Sequence, residues 1–240
     1  MTTKRNPFHL LLVIALTFAF ICSAVPAQGA IPVTGSDPEK LAIVENLPDL
    51  QAFAQQVTNG WAGAVTGVYV PNMVALPVVQ QPSNNAGFVS TQSDTLTQFS
   101  LAAQYGTIGL LAHDYLAGTY FSSFQVGQIF AAVHGDGAIQ YYQVYNIRRF
   151  QALSPLSPYS NFIDLADNTY YDSTGLFYSV YGSGAPLVFQ TCISRDGISS
   201  WGRLFVFATP IEYTDTLSLT KTTFKAFYHI ARGFISTIAA

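Results

Sequence analysis

Charge is scarce in this chain. Of its 240 residues only 10% are Asp, Glu, Lys or Arg, against roughly a quarter in ordinary soluble domains. Lys and Arg total 10, Asp and Glu 13, and the net charge is -3. No basic face can be assembled from that inventory, which excludes nucleic acid as a partner. Disorder is excluded from the other side, because hydrophobic residues make up 50% of the chain and disordered chains are poor in them. Cysteine is scarcer still, with only Cys22 and Cys192. There is no C-x-x-C and no H-x-x-x-H spacing, so the sequence calls for no metal and no cofactor. The acids are scattered rather than paired, which speaks against a glycosidase. There is no G-x-S-x-G elbow for a serine hydrolase, no glycine pattern of a phosphate loop and no internal repeat.

What is abundant is aromatic: 18 Phe and 14 Tyr. With Val and Thr spread throughout, this favours a β-rich domain. The length suits one domain with a real core plus a leader. Residues 1–29 read as that leader. Lys4 and Arg5 form a charged start, residues 10–22 an apolar stretch, and Ala27-Gln28-Gly29 or Val25-Pro26-Ala27 a cleavage site. The apolar run 8–25 is also just long enough to span a bilayer. A retained anchor is therefore the alternative, and either form places the domain outside the cytoplasm, secreted or at the cell surface. Cys22 falls in the leader, so Cys192 is expected to be an unpaired thiol. Its plainest reading is a buried structural cysteine.

Residues 30–60 read as a helical N-terminal segment. Asp37 caps a first piece that begins at Pro38. Asp49 caps a second, with Leu50, Phe53, Ala54 and Val57 on one face and Gly60 beyond its end. From residue 61 the pattern turns to short strands, and a catalytic barrel is expected over 61–212. Strands are predicted at 67–71, 73–79 and 106–113, the last ending in His113. A polar loop is predicted over 82–99. Residues 128–133 and 139–145 flank Gly135-Asp136-Gly137 as a hairpin. Residues 154–181 form a long connection expected to hold a turn of helix and a mobile flap. Residues 213–240 read as a C-terminal helical extension, with Phe224, Phe227, Ala231, Phe234 and Ile238 on one face.

The chemistry concentrates at 187–208. Two apolar runs, 187–191 and 203–207, flank a polar loop over 194–200. Cys192 closes the first strand and Arg203 opens the second. An antiparallel pair brings those positions to the same end of a sheet. A base is then needed. His9 lies in the leader, His134 beside a turn and His229 on the terminal helix; His113 ends a buried-looking strand. An imidazole near the sulfur ionises the thiol, and a guanidinium stabilises the oxyanion of an attacked carbonyl. Arg195 is the rival for that last role, and Arg148, Arg149 and Arg195 itself serve as controls.

These residues resemble the sortase family. Residues 187–206, an apolar strand ending Thr191-Cys192, then a loop and Arg203, are similar to the sortase signature. Leu110-Leu111-Ala112-His113-Asp114-Tyr115 with Leu116-Ala117-Gly118 is similar to its histidine segment, and Val68-Tyr69-Val70-Pro71 to its opening strand. The order His113, Cys192, Arg203 is the family's, and the resemblance covers roughly residues 64–210. Asp114 stands where many relatives carry Asn, Arg or Ser, and Gln128 where an acid is usual. The resemblance implies a mainly β fold, a closed eight-stranded barrel with a short N-terminal helical segment and a C-terminal helix. It implies a cysteine transpeptidase with Cys192 as nucleophile, His113 as acid/base and Arg203 at the oxyanion, with Thr191 and Ala112 as substrate-contacting neighbours. Its partners would be the peptide sorting signal of a secreted protein and an amine acceptor, on a cell-wall precursor or a pilin-type lysine. Two other readings remain open: an exported cysteine peptidase that hydrolyses the same thioacyl intermediate, and a non-catalytic secreted barrel.

Overall fold

The apolar runs of this sequence become strands because both faces of most of them are covered, and a strand buried on both sides reads as a continuous hydrophobic stretch. The computed structural model describes residues 47–157 and 159–212. The leader, the Pro38 helical piece and the C-terminal helical extension lie outside the described residues. In chain order the elements begin with α1 (Leu50–Val57), β1 (Val65–Val70), β2 (Val74–Gln80), β3 (Leu96–Phe99), α2 (Ser100–Ala103) and β4 (Ile108–Leu111). A 3-10 helix (Ala117–Ser123), β5 (Ile129–His134), β6 (Ile139–Ala152), β7 (Phe162–Asp164) and β8 (Tyr170–Tyr171) follow. Then come α3 (Ser173–Tyr181), β9 (Leu187–Arg195) and β10 (Ile198–Ile211). No helix among the described residues is long and apolar enough to cross a membrane.

The strands run in the order β10-β9-β4-β3-β2-β1-β5-β6, and β6 pairs with β10 to close the ring. The fold is thus a closed eight-stranded barrel of sortase type, with β7 and β8 added as a small flap on β6. Two of its pairings are parallel, β2 with β3 and β4 with β9. All eight strands contribute to one interior cluster, among them Val68, Leu76, Leu96, Leu110, Phe130, Tyr142, Phe189 and Leu204. Phe189 sits at its centre, with ring centroids of Phe121, Phe124 and Phe130 all within 5.2 Å. A second cluster covers the outside of β4, β9, β10 and β6. There Leu111, Val188, Cys192, Phe205 and Phe150 pack under Phe162 of β7 and under Leu176, Phe177 and Tyr181 of α3.

Several expected elements appear as read. Asp49 caps α1 by accepting from the Ala52 amide at 2.8 Å. The β5–β6 hairpin turns at residues 135–138, with Gly137 at φ 86°.

Three readings change. The stretch 82–99 is not all loop, because its last four residues form β3. Its polar side chains hid the strand: the Thr97 hydroxyl accepts from the Ser90 amide at 2.8 Å, and Gln98 Oε1 accepts from the Val65 amide at 2.9 Å. The polar loop at 194–200 shrinks to a two-residue turn at Asp196 and Gly197, both with positive φ (51° and 78°), the geometry a tight hairpin demands. Residues 154–181 hold a nine-residue helix and two short strands. Asp172 caps that helix by accepting from the Gly175 amide at 2.6 Å.

Candidate active site

Cys192 and Arg203 are partners in the β9–β10 register. Directly paired residues point to the same face of a sheet. Here that face is the outer one, since Cys192 belongs to the cluster under α3 and β7. The register is set upstream by Leu204, Val206 and Ala208, which alternate into the barrel interior opposite Thr191, Phe189 and Leu187. A slip of one residue would turn every one of these apolar side chains to the wrong side.

His113 comes from β4, which runs parallel to β9. Leu111 pairs with Gln190. The Ala112 amide then donates to the Gln190 carbonyl at 3.2 Å, and the Thr191 hydroxyl donates to the Ala112 carbonyl at 2.9 Å. The ladder ends at Leu111 and Gln190, each two residues before His113 and Cys192. His113 does not end the strand as expected. It lies two residues past it and opens a turn, its carbonyl accepting from the Leu116 and Gly118 amides at 3.1 and 2.9 Å. Its ring stacks on Tyr115, centroids 5.1 Å apart and planes 23° apart. Thr191 and Ala112 are both buried and are joined to each other, so they tie the histidine segment to the nucleophile strand.

Arg203 is only 1% exposed. One Nη atom donates to the carbonyls of Ser200 and Gly202 at 3.1 and 2.8 Å, and the guanidinium carbon lies 5.7 Å from the Phe162 ring centre. Burial pushes this guanidinium down to about 10, opposed by the negative charge of Asp114. It is therefore still a cation at neutral pH, held where a full charge is costly. Arg195, the rival, is exposed, pairs with Asp196 at 3.4 Å and lies over the Trp201 ring at 4.8 Å.

Cys192 is disulfide-bonded in this structure, against the expectation of an unpaired thiol. The other cysteine of the sequence, Cys22, lies outside the described residues. That expectation rested on assigning Cys22 to the leader, and spacing along the sequence carries no information on bridging. Among the described residues no group of three His, Cys, Asp or Glu side chains is gathered as a metal would need.

Residue-type reasoning missed three contributors. Asp114 is hydrogen-bonded by the Ser194 hydroxyl, which also lies 3.0 Å from the Ser199 carbonyl. This links the turn after His113 to the end of β9. Phe162 lies against Arg203, from a strand hidden in a stretch read as a flap. Gly118 is the third. A Cβ there would run into the Thr191 hydroxyl and the His113 carbonyl oxygen, closer than real contacts allow. Gly118→Ala is therefore expected to displace the His113 turn and to lower stability by about 1–3 kcal/mol, the usual range for overpacking. A thermal melt reads that cost, and an unchanged melting temperature would show that the turn yields freely.

No protein-family model and no curated protein matches the chain. Solved structures do. Sortase C1 from Streptococcus agalactiae is 16% identical, covering 73% of this chain and 93% of that one, with a TM-score of 0.39. Sortase C1 from Streptococcus suis is 15% identical, covering 85% and 98%, with a TM-score of 0.39. Sortase A from Listeria monocytogenes is 13% identical, covering 64% and 94%, with a TM-score of 0.37. Likeness at this level assigns no activity, and the weight rests on the strand order and register described above.

Proposed function

We propose that this domain is an exported cysteine transpeptidase of sortase type. The observation that supports it is the direct pairing of Cys192 with Arg203, with β4 running toward the same end of β9 and continuing into His113. In this reading the Cys192 thiolate attacks the scissile carbonyl of a peptide, and Arg203 stabilises the oxyanion that forms. His113 gives a proton to the departing amine as the thioacyl-enzyme forms. It then takes a proton from the incoming amine as the new amide bond is made and the thiol is released. The substrate is the sorting signal of a secreted protein, and the acceptor is an amine at the cell surface. The domain reaches that location through the signal, or the anchor, at residues 1–29.

The burial of Arg203 suits this chemistry, because an arginine out of water interacts more strongly with a developing oxyanion. The reaction needs the thiolate, so the disulfide at Cys192 has to be opened by a thiol reductant first. The full chain, reduced with dithiothreitol, is to be mixed with a pool of synthetic peptides, with and without added triglycine. The expected result is a peptide adduct on Cys192 by mass spectrometry and a triglycine ligation product. Hydrolysis products alone, undiminished by triglycine, would make it a peptidase. The bridged Cys192 favours one further reading, a non-catalytic barrel in which this cysteine is structural. Reduced protein that alkylates with iodoacetamide only after denaturation supports that reading and defeats the enzyme.

A further inference from the structure

One cross-strand row runs through the site and out beyond it. Cys192 pairs with Arg203, Arg203 with Phe150 on β6, and Phe150 with Asp164 on β7. Asp164 is buried, its side chain 4% exposed. It is met by Arg148, whose Nε and one Nη donate to the same carboxylate oxygen at 3.1 and 2.8 Å. That Nη also donates to the Tyr171 hydroxyl on β8 at 3.1 Å. The other Asp164 oxygen accepts from the Ala166 amide at 2.9 Å, inside the turn between β7 and β8. The Arg148 guanidinium lies over the Phe150 ring at 4.7 Å and beside the Tyr171 ring at 5.6 Å. A single side chain on the barrel thus holds both strands of the β7–β8 hairpin.

That hairpin is short, with three residues in β7 and two in β8. Such a ribbon is not stable by its own ladder, so its position depends on what clamps it. It carries Phe162, the aromatic ring against the Arg203 guanidinium. We propose that Arg148 is a positioning residue for this site, clamping the β7–β8 hairpin to β6 so that Phe162 covers Arg203 and fixes where its guanidinium lies. The role in turnover rests on the reading of Arg203 as the charged group of the reaction. The cover over Arg203 does not. Arg148 accordingly drops out of the set of neutral controls, leaving Arg149 and Arg195.

The test compares wild type with Arg148→Met, Tyr171→Phe and Arg149→Ala, all as reduced full chain. Arg148→Met removes the whole clamp, and Tyr171→Phe removes one acceptor and keeps the ring. Side-chain N–H exchange of Arg203, read by NMR on arginine-labelled protein, should speed at least about tenfold in Arg148→Met and less in Tyr171→Phe. Backbone amides of β9 and β10 should exchange as in wild type, which a general loosening of the fold would not allow. Arg149→Ala should change nothing. Turnover of a peptide found in the transfer assay should fall about 10–100-fold in kcat for Arg148→Met, with KM within about threefold, as expected for a displaced group. Unchanged Arg203 exchange overturns the proposal, and so does equal acceleration of the β9 and β10 amides. If Arg148→Met does not fold, Tyr171→Phe decides alone: exchange at the wild-type rate overturns the clamp. An active Arg203→Ala variant removes the catalytic reading, while the exchange measurement still stands for or against the clamp.

Discussion

Cys192→Ala abolishes both peptide cleavage and transfer, in the outcome expected here, while the barrel stays folded. The chemistry needs a nucleophile that can carry the acyl group, and an alanine methyl cannot. No second cysteine is available among the described residues. The nearest hydroxyl on the strand, Thr191, turns to the other face and donates to the Ala112 carbonyl. In the reduced protein the fold should tolerate the change, because alanine in place of Cys192 leaves only a small void. A cavity of one sulfur costs on the order of 1 kcal/mol. His113→Ala should be less absolute, with a loss of about 10²–10⁴ in rate, the usual weight of acid/base catalysis. The measurement is adduct and product formation by mass spectrometry on reduced protein. Residual transfer by Cys192→Ala at even a tenth of wild type would remove Cys192 from the mechanism. The nucleophile would then have to be another side chain of the chain.

Arg203→Met should separate function from stability. Activity should fall by about 10²–10³ or more, the effect of losing one oxyanion donor. Arg203→Lys should fare little better, since a compact ammonium does not reproduce a planar fork. Stability should hold. Burial lowers the Arg203 guanidinium from the ordinary arginine range to about 10, which corresponds to a cost on the order of 3 kcal/mol for keeping the charge. Methionine of similar length removes that cost. Against it stands the loss of the donors to the Ser200 and Gly202 carbonyls, about 1–3 kcal/mol for each that stays buried without a partner. The two sides nearly cancel, as they do for many buried charges replaced by apolar residues.

The pH dependence has a defined sign. Above about 10, and up to where an ordinary arginine loses its proton, the unfolded chain binds a proton at Arg203 that the folded chain has released. The contribution of this group to stability therefore improves as pH rises through that window, and its cost is complete below it. Arg203→Met removes this pH dependence. Phe205→Ala, one strand position from Leu204 and wholly buried, provides the contrast, with an expected loss of about 3–5 kcal/mol. A melting temperature for Arg203→Met as low as that of Phe205→Ala would make Arg203 a structural residue.

Much of this molecule could be read from residue order. The apolar runs and the Gly135-Asp136-Gly137 turn determine a hairpin, because a positive φ is a local demand that neighbouring residues satisfy by themselves. Cys192 and Arg203 were legible as partners for the same reason: one tight turn joins their strands, and the register follows from which residues are apolar. The Asp49 cap on α1 is equally local.

What tertiary structure alone decided is everything that depends on contacts between distant segments. β3 was invisible because Thr97 and Gln98 look like loop residues until Ser90 and Val65 supply their partners. β7 and β8 were invisible because two or three residues have no period, and they exist only against β6 and Arg148. The placement of the His113 segment beside the nucleophile strand rests on a parallel pairing of β4 with β9 across some eighty residues of chain, and parallel strands leave no turn signal between them. Burial of Arg203, and hence both its altered ionisation and its cover by Phe162, arises only when α3 and the β7–β8 flap close over the outer face. A sequence specifies which side chains are apolar and where the chain can turn. Which charge ends up out of water depends on what folds over it.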